Sequence, residues 1–383
     1  IQNTGKVAQE LEVPLNRVSR VVHRISCAQR GIYPILVKCQ LSYGDALMLE
    51  PALKALLARY PDSTVHLFTS SKGKLIYLYN PAVSAIITEP RSNIRARVRG
   101  PDAFYLHSYD LTAWMIERDA LWMNSYDLAF RKLLYRPGPV KPRFYGSEEE
   151  EINVQTALKS HYVDTNKDKI VLVHPDSTVS MRRWPLGHVF SLARALSSRG
   201  MTVIVASGSE YLEDVVAPRI ARVLYTCREL ADLSVREGFL LTKYATLVVA
   251  VDSVYSHLAL AYQRPSVLLY GTLRAELLAA PYFERAHVIQ HDLPCGPCHQ
   301  HHGRCIVDPK AYASPCMRAI SPDEVVEAVE KILDGQMPTR RIKPRTELGP
   351  VNGECPVCGD TGFEVRARKG DRFYLACGRC GTV

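Results

Sequence analysis

Eight of the eleven cysteines fall near the C-terminal end at spacings that suit thiolate chemistry. Cys355 and Cys358 pair with Cys377 and Cys380 as two Cys-x2-Cys knuckles, eighteen residues apart. Such knuckles bring four thiolates to the corners of a tetrahedron and leave no position open for catalysis, which is the design of a structural zinc site. Cys295, Cys298, Cys305 and Cys316 form a looser set, with His299, His301 and His302 among them. A second metal site and free thiols both fit that spacing, and on ligand type zinc suits it better than iron. Cys27, Cys39 and Cys227 read as scattered, buried thiols.

Elsewhere stand a carboxylate and several groups able to hold an anion. Asp45 follows an apolar run and the turn Ser42-Tyr43-Gly44. A carboxylate there can serve as a general base facing a cleft, or simply cap the helix that follows. Ser177 and Thr178 lie in a loop after another apolar run, and Arg182 can form charge-assisted hydrogen bonds. Ser256 and His257 stand at an expected helix start, where free amides and the helix dipole attract anions. A capping or surface role is the alternative at each position.

These residues need strands and helices to place them. Ile35-Leu36-Val37-Lys38-Cys39-Gln40 reads as a strand, Ala46 to Tyr60 as an amphipathic helix, and Val65-His66-Leu67-Phe68 as the next strand. That is a βαβ opening of a doubly wound sheet. A second α/β unit starts at Ile170-Val171-Leu172-Val173. It continues through strands at 203–206, 247–251 and 266–270 to a closing helix at 322–333. The expected organisation is an α/β chain of two Rossmann-like lobes, residues 31–140 and 152–335. A helical segment at 1–30 precedes them, and a linker at 336–352 and a zinc ribbon at 353–383 follow. The length itself, 383 residues, exceeds what one hydrophobic core holds.

Several stretches together resemble glycosyltransferase family 9, the lipopolysaccharide heptosyltransferases. Gly44-Asp45-Ala46-Leu47 with Pro51-Ala52-Leu53 is similar to that family's first Gly-Asp turn. His174-Pro175-Asp176-Ser177 with Arg182-Arg183-Trp184-Pro185 is similar to its phosphate loop and Lys-Arg-Trp-Pro signature. Ser207-Gly208-Ser209-Glu210 stands at its Gly-Gly-x-x-Glu turn. Asp252-Ser253-Val254-Tyr255-Ser256-His257 stands at its Asp-Ser/Thr-Gly-x-x-His motif, with Val254 in place of glycine and Arg182 in place of the usual lysine. Gly271-Thr272 and the segment from Cys316-Met317 to Ile320-Ser321-Pro322 also match. The resemblance runs from about residue 33 to 335.

The resemblance implies a GT-B fold and inverting sugar transfer from a nucleotide-sugar donor, with Asp45 as base. Ser177, Thr178, Arg182, Ser256 and His257 would hold the diphosphate, Asp252 a donor-sugar hydroxyl, and Glu210 the nucleoside side. No Asp-x-Asp motif stands at an equivalent position, so no catalytic metal is expected. In the related autotransporter heptosyltransferases, a cysteine set like that of Cys295 is a structural metal finger. One or two structural zinc sites are therefore expected.

The remaining features bear on the acceptor. Residues 6–13 and 14–22 follow a helical period broken at Val13-Pro14, similar to a helix-turn-helix, with Asn16, Arg17 and Arg20 toward a DNA groove. Arg366 and Arg368 belong to a basic face of the ribbon. The net charge of +9 suits a phosphate-rich partner. Residues 100–135 are rich in aromatics and Met, either an acceptor wall or ordinary core. Double-stranded DNA with a hydroxymethylated base is thus one expected acceptor, and a base must be extruded to reach such a site. Lipopolysaccharide or another glycan is the second, and a non-catalytic DNA-binding protein the third reading. No apolar run approaches a membrane span, no signal peptide is seen, and clustered cysteines suit a reducing compartment, so a cytoplasmic protein is expected.

Overall fold

The computed structural model describes residues 9–10, 33–39, 42–88, 107–111, 125–134, 138, 140–208, 218–291, 293, 295, 298, 305, 307–336, 363–369 and 372–377. The chain divides into two compact units, Ile1–Glu117 with Ser125–Glu149, and Arg118–Asn124 with Glu150–Val383.

The first unit holds a five-stranded parallel sheet: β1 (Gln9–Glu10), β2 (Tyr33–Cys39), β3 (Ser63–Thr69), β4 (Val83–Thr88) and β5 (His107–Asp110). The order is β1-β4-β3-β2-β5. Ile35, Leu36, Val37 and Cys39 on the central β2 are buried, as befits a parallel strand covered on both faces. Among the described residues, three helices accompany the sheet: α1 (Tyr43–Arg59), α2 (Ser71–Tyr77) and α3 (Ser125–Leu134). Every residue from Ala46 to Leu53 is buried, so the first half of α1 is enclosed on all sides rather than amphipathic, and the Tyr77 hydroxyl donates to Ala46 O at 2.5 Å, fixing α2 on α1. Tyr126 and Phe130, from the aromatic-rich stretch, are fully buried core residues of α3 rather than an exposed wall.

At Gln9 and Glu10 the expected helix does not form. These residues are a parallel edge strand paired with Ala85 and Ile86 of β4. The open edge of β4 offers backbone donors and acceptors that need partners, and this tertiary pairing overrides the local helical period. The rest of that segment, with Asn16, Arg17 and Arg20, lies outside the described residues.

The second unit is a six-stranded parallel sheet of β6 (Ile170–His174), β7 (Thr202–Val205), β8 (Val223–Tyr225), β9 (Leu247–Val251), β10 (Ser266–Tyr270) and β11 (Ala286–Gln290). Its order, β11-β10-β9-β6-β7-β8, is that of a doubly wound sheet that reverses between β6 and β9. The helices are α4 (Glu148–Ser160), α5 (Leu186–Ser198), α6 (Val235–Tyr244), α7 (Val254–Ala261), α8 (Pro315–Ala319) and α9 (Pro322–Leu333). α5 and α9 close one face through Val189, Leu192, Leu196, Val325, Val329 and Ile332, all in one core with Trp184. No helix among the described residues is long and apolar enough to cross a membrane.

In the segment expected to form the ribbon lies an antiparallel hairpin, β12 (Phe363–Lys369) and β13 (Arg372–Cys377), bulged between Val365 and Ala367. Arg366 and Arg368 stand on β12 and Cys377 ends β13. Cys355, Cys358 and Cys380 lie outside the described residues.

Candidate functional site

The carboxyl ends of β6 and β9 stand at the reversal of strand order, where doubly wound sheets bind ligands. β6 ends at His174 and runs into a loop closed by the Trp184 amide, which donates to Pro175 O at 2.9 Å. Within the loop, Ser180–Arg182 forms a single 3-10 turn. The turn delivers Arg182 to the residue just beyond β9, with Nη1 2.9 Å from Asp252 Oδ2. Two residues singled out from the sequence, seventy positions apart, thus form one ion pair. Asp252 is 7% exposed, so the pair sits where solvent screens it little.

The next arginine braces the same loop. Arg183 Nε lies 3.1 Å from Asp176 Oδ1 and donates to Ser177 O at 2.9 Å. Asp176 also accepts from the Ser177 amide at 2.7 Å. A Cβ placed on Gly208 would stand 3.9 Å from Asp176 Oδ2, so the turn after β7 lies beside this loop. Ser177 is half-buried and Thr178 exposed. Glu210 lies outside the described residues.

His174 couples this loop to the start of α7. Its Nδ1 is 2.9 Å from Ser253 Oγ, and its ring stacks on Tyr255, with centroids 4.2 Å apart and planes at 21°. Desolvation pushes the imidazole down to about 3, so it is neutral at ordinary pH. The Tyr255 hydroxyl donates to Gly238 O, tying the stack to α6. Ser256 and His257 are buried at the same helix start. The Ser256 amide and hydroxyl both donate to Ser253 O, at 3.2 and 2.7 Å, so this amide is engaged within the turn. His174, Tyr255, Asp176 and Arg183 were not singled out as site residues from sequence. All four stand inside the motifs quoted above, but nothing in the sequence shows the aromatic stack or the Arg183–Asp176 pairing.

In the other unit, Asp45 is the third residue of α1. Its Oδ2 accepts from Ser42 Oγ at 2.7 Å and from the Ser42 amide at 3.3 Å. The carboxylate therefore caps the helix. Both bonds fall on Oδ2, so Oδ1 takes no part in the cap.

The looser cysteine set comes together. Cys295, Cys298, Cys305 and Cys316 line one pocket with Gly271 and Thr272. A Cβ on Gly271 would come 2.8 Å from Cys316 Sγ, so glycine is needed for the approach. The Thr272 hydroxyl is buried and has no hydrogen-bond partner among the described residues. Burial and the neighbouring Cys298 and Cys295 push the Cys316 thiol up. Four thiols thus line one pocket, and among the described residues no three His, Cys, Asp or Glu side chains stand close enough together to hold a metal ion.

Comparison with known proteins follows the same lines. The family model "Glycosyltransferase family 9 (heptosyltransferase)" matches residues 116–306. The chain is 26% identical over 212 residues to lipopolysaccharide heptosyltransferase 1 of Pseudomonas aeruginosa, covering 53% of this chain and 57% of that protein. It therefore spans little more than half the length of that curated relative. The structure resembles that of Escherichia coli ADP-heptose lipopolysaccharide heptosyltransferase II, with a TM-score of 0.59 at 18% identity, covering 79% of this chain and 99% of the other. It also resembles the iron-containing dodecameric glycosyltransferase TibC of enterotoxigenic E. coli, with a TM-score of 0.53 at 16% identity and 79% of each chain covered. Residues 116–306 thus match the model of glycosyltransferase family 9, and the α/β fold of the chain is similar to the one these heptosyltransferase structures share.

Proposed function

We propose that the chain is an inverting glycosyltransferase that moves a sugar, of the heptose class, from a nucleoside-diphosphate donor to an acceptor hydroxyl. The observation that carries this reading is the Arg182–Asp252 pair beside the Ser177–Thr178 loop, at the reversal point of the second sheet. A diphosphate there would meet the guanidinium and the loop's polar groups, and Asp252 would accept from a donor-sugar hydroxyl. The base is Asp45: the acceptor hydroxyl loses its proton to the carboxylate, its oxygen attacks the anomeric carbon, and the diphosphate leaves. The lone pairs of Oδ1 suit that task while Oδ2 holds the helix cap. The proposed donor nucleotide is ADP, since the similar E. coli structure is that of an ADP-heptose heptosyltransferase.

The cysteine pocket would hold a structural metal, bound by Cys295, Cys298, Cys305 and Cys316, and the ribbon cysteines a zinc ion. The thiol set and the unpartnered Thr272 hydroxyl support the first; paired knuckles around a β-hairpin support the second. The ligand type favours zinc over iron in the pocket, and elemental analysis of the purified chain separates them.

For the acceptor we propose a glycan hydroxyl, since the curated relative acts on lipopolysaccharide. A hydroxymethylated base in duplex DNA is the competing acceptor, resting on the ribbon's basic residues and the N-terminal segment. Incubation with ADP-heptose and either lipopolysaccharide core acceptor or modified DNA, followed by mass spectrometry, decides. The reading requires a mass gain on one acceptor, its loss in Asp45→Asn, and retention of fold in that variant. Full transfer by Asp45→Asn removes Asp45 as base, and no transfer to either acceptor removes the proposal.

A further inference from the structure

The segment from Tyr312 to Ile320 touches the loop after β6 at three places. The Arg183 guanidinium lies 5.4 Å over the Tyr312 ring, Ser314 Oγ donates to Met181 O at 2.6 Å, and Trp184 Nε1 donates to Ile320 O at 3.0 Å. Met181 is the middle residue of the 3-10 turn that ends at Arg182. The Ser314 bond therefore holds the turn that presents Arg182 to Asp252. Ser314 is 1% exposed, and Cys316 Sγ lies 3.0 Å from the same hydroxyl oxygen. Both residues line the cysteine pocket.

We propose that Ser314 is a positioning residue that links the cysteine pocket to the diphosphate-holding loop, so that a cation held by the pocket is felt as a change in diphosphate affinity. This rests on the donor and metal readings above. A serine hydroxyl has one hydrogen. While that hydrogen is on Met181 O, the oxygen can only accept, and the Cys316 S–H is the group that donates to it. A sulfur that binds a cation releases its proton to solvent and then has only lone pairs to offer. The serine hydrogen then has two acceptors, the Met181 carbonyl and the charged sulfur, and hydrogen bonds to charged acceptors are the stronger. What the sulfur gains, the turn under Arg182 loses. The linkage is reciprocal: a diphosphate on the loop must weaken cation binding in the pocket by the same factor.

The test is calorimetric titration of ADP into the full chain, once stripped with a chelator and once reloaded with Zn²⁺. We expect ADP to bind more weakly to the loaded protein by about fivefold or more. In Ser314→Ala the two values should agree to within about twofold, and Ser314→Thr, which keeps the hydroxyl, should restore the difference. A measurement that needs no variant is zinc affinity by competition with a chromophoric chelator, which should weaken by the same factor when ADP saturates. Equal ADP affinities in the two states, or tighter binding to the loaded form, overturn the inference while leaving the donor reading intact. ADP that binds neither form brings down the donor reading itself.

Discussion

Arg182 Nη1 lies 2.9 Å from Asp252 Oδ2, joining the loop after β6 to the first residue beyond β9. The side chains are 17% and 9% exposed. The pair balances the charge of Arg182 and holds its guanidinium in place, which under the proposed function leaves it set to meet a diphosphate. Arg182→Ala should therefore weaken ADP binding by about tenfold or more, the range for a lost charge-assisted hydrogen bond. Arg182→Lys should recover part of it, since the charge returns without the fork. Calorimetry on both variants reads the difference, and an unchanged affinity in Arg182→Ala would remove this residue from the site.

His174 gives a prediction in pH. Its folded value of about 3 lies below the ordinary imidazole value of 6.5. Between those limits the unfolded chain holds a proton that the folded chain refuses, so stability rises with pH across the window. The contribution is complete above 6.5 and is lost as pH falls toward 3, at up to about 1.4 kcal/mol per unit. Thermal melts from pH 4 to 8 should show this slope in the wild type and a shallower one in His174→Gln. Parallel slopes would mean that the ring is solvated, not desolvated.

The sheet was legible because parallel strands buried on both faces read as unbroken apolar runs. Ile170–His174, Leu247–Val251 and Ser266–Tyr270 needed no partner to be recognised. Short motifs at strand ends placed Arg182 and Asp252 at one end of the sheet. Their mutual pairing was not legible, because an ion pair between residues far apart in sequence depends on side-chain rotamers. Gln9–Glu10 misled for a related reason: its strand exists through the edge of β4, and the local period of the segment says nothing about that edge. The tie of Ser314 to Met181 was invisible as well, since serine beside Pro315 reads only as a helix cap.

Glu50 titrates in the opposite sense. It is buried within α1, and burial pushes its carboxyl up to about 7 despite Lys54 and the Arg143 amide, which donates to it at 3.0 Å. Between the ordinary carboxyl value and about 7, the folded chain holds a proton that the unfolded chain does not. This contribution is present at low pH and disappears as pH rises through that window. Glu50→Gln, neutral at every pH, should gain melting temperature relative to the wild type as pH goes from 5 to 8. A gap that stays constant would show that Glu50 is ionised throughout.

Arg236 on α6 is buried against a carboxylate of α4. Its guanidinium meets Glu150 of α4 in a fork, Nε to Oε1 at 2.6 Å and Nη2 to Oε2 at 3.0 Å. The side chains are only 4% and 14% exposed. Lys243 with Glu151 at 2.6 Å and Asn153 with Glu237 at 2.8 Å extend the same seam, so polar contacts join α4 to α6 while Val154 and Leu158 supply the buried apolar side of α4. Truncating one member leaves the other charge buried without its partner, which costs more than the pair itself contributes. Arg236→Ala should lose about 3 kcal/mol or more in denaturant unfolding. The double variant Arg236→Met with Glu150→Leu should recover much of that, because both charges then leave together and apolar surface replaces them. If the double variant is as unstable as the single one, the loss comes from packing rather than from the stranded carboxylate, and the seam must be read as a steric fit.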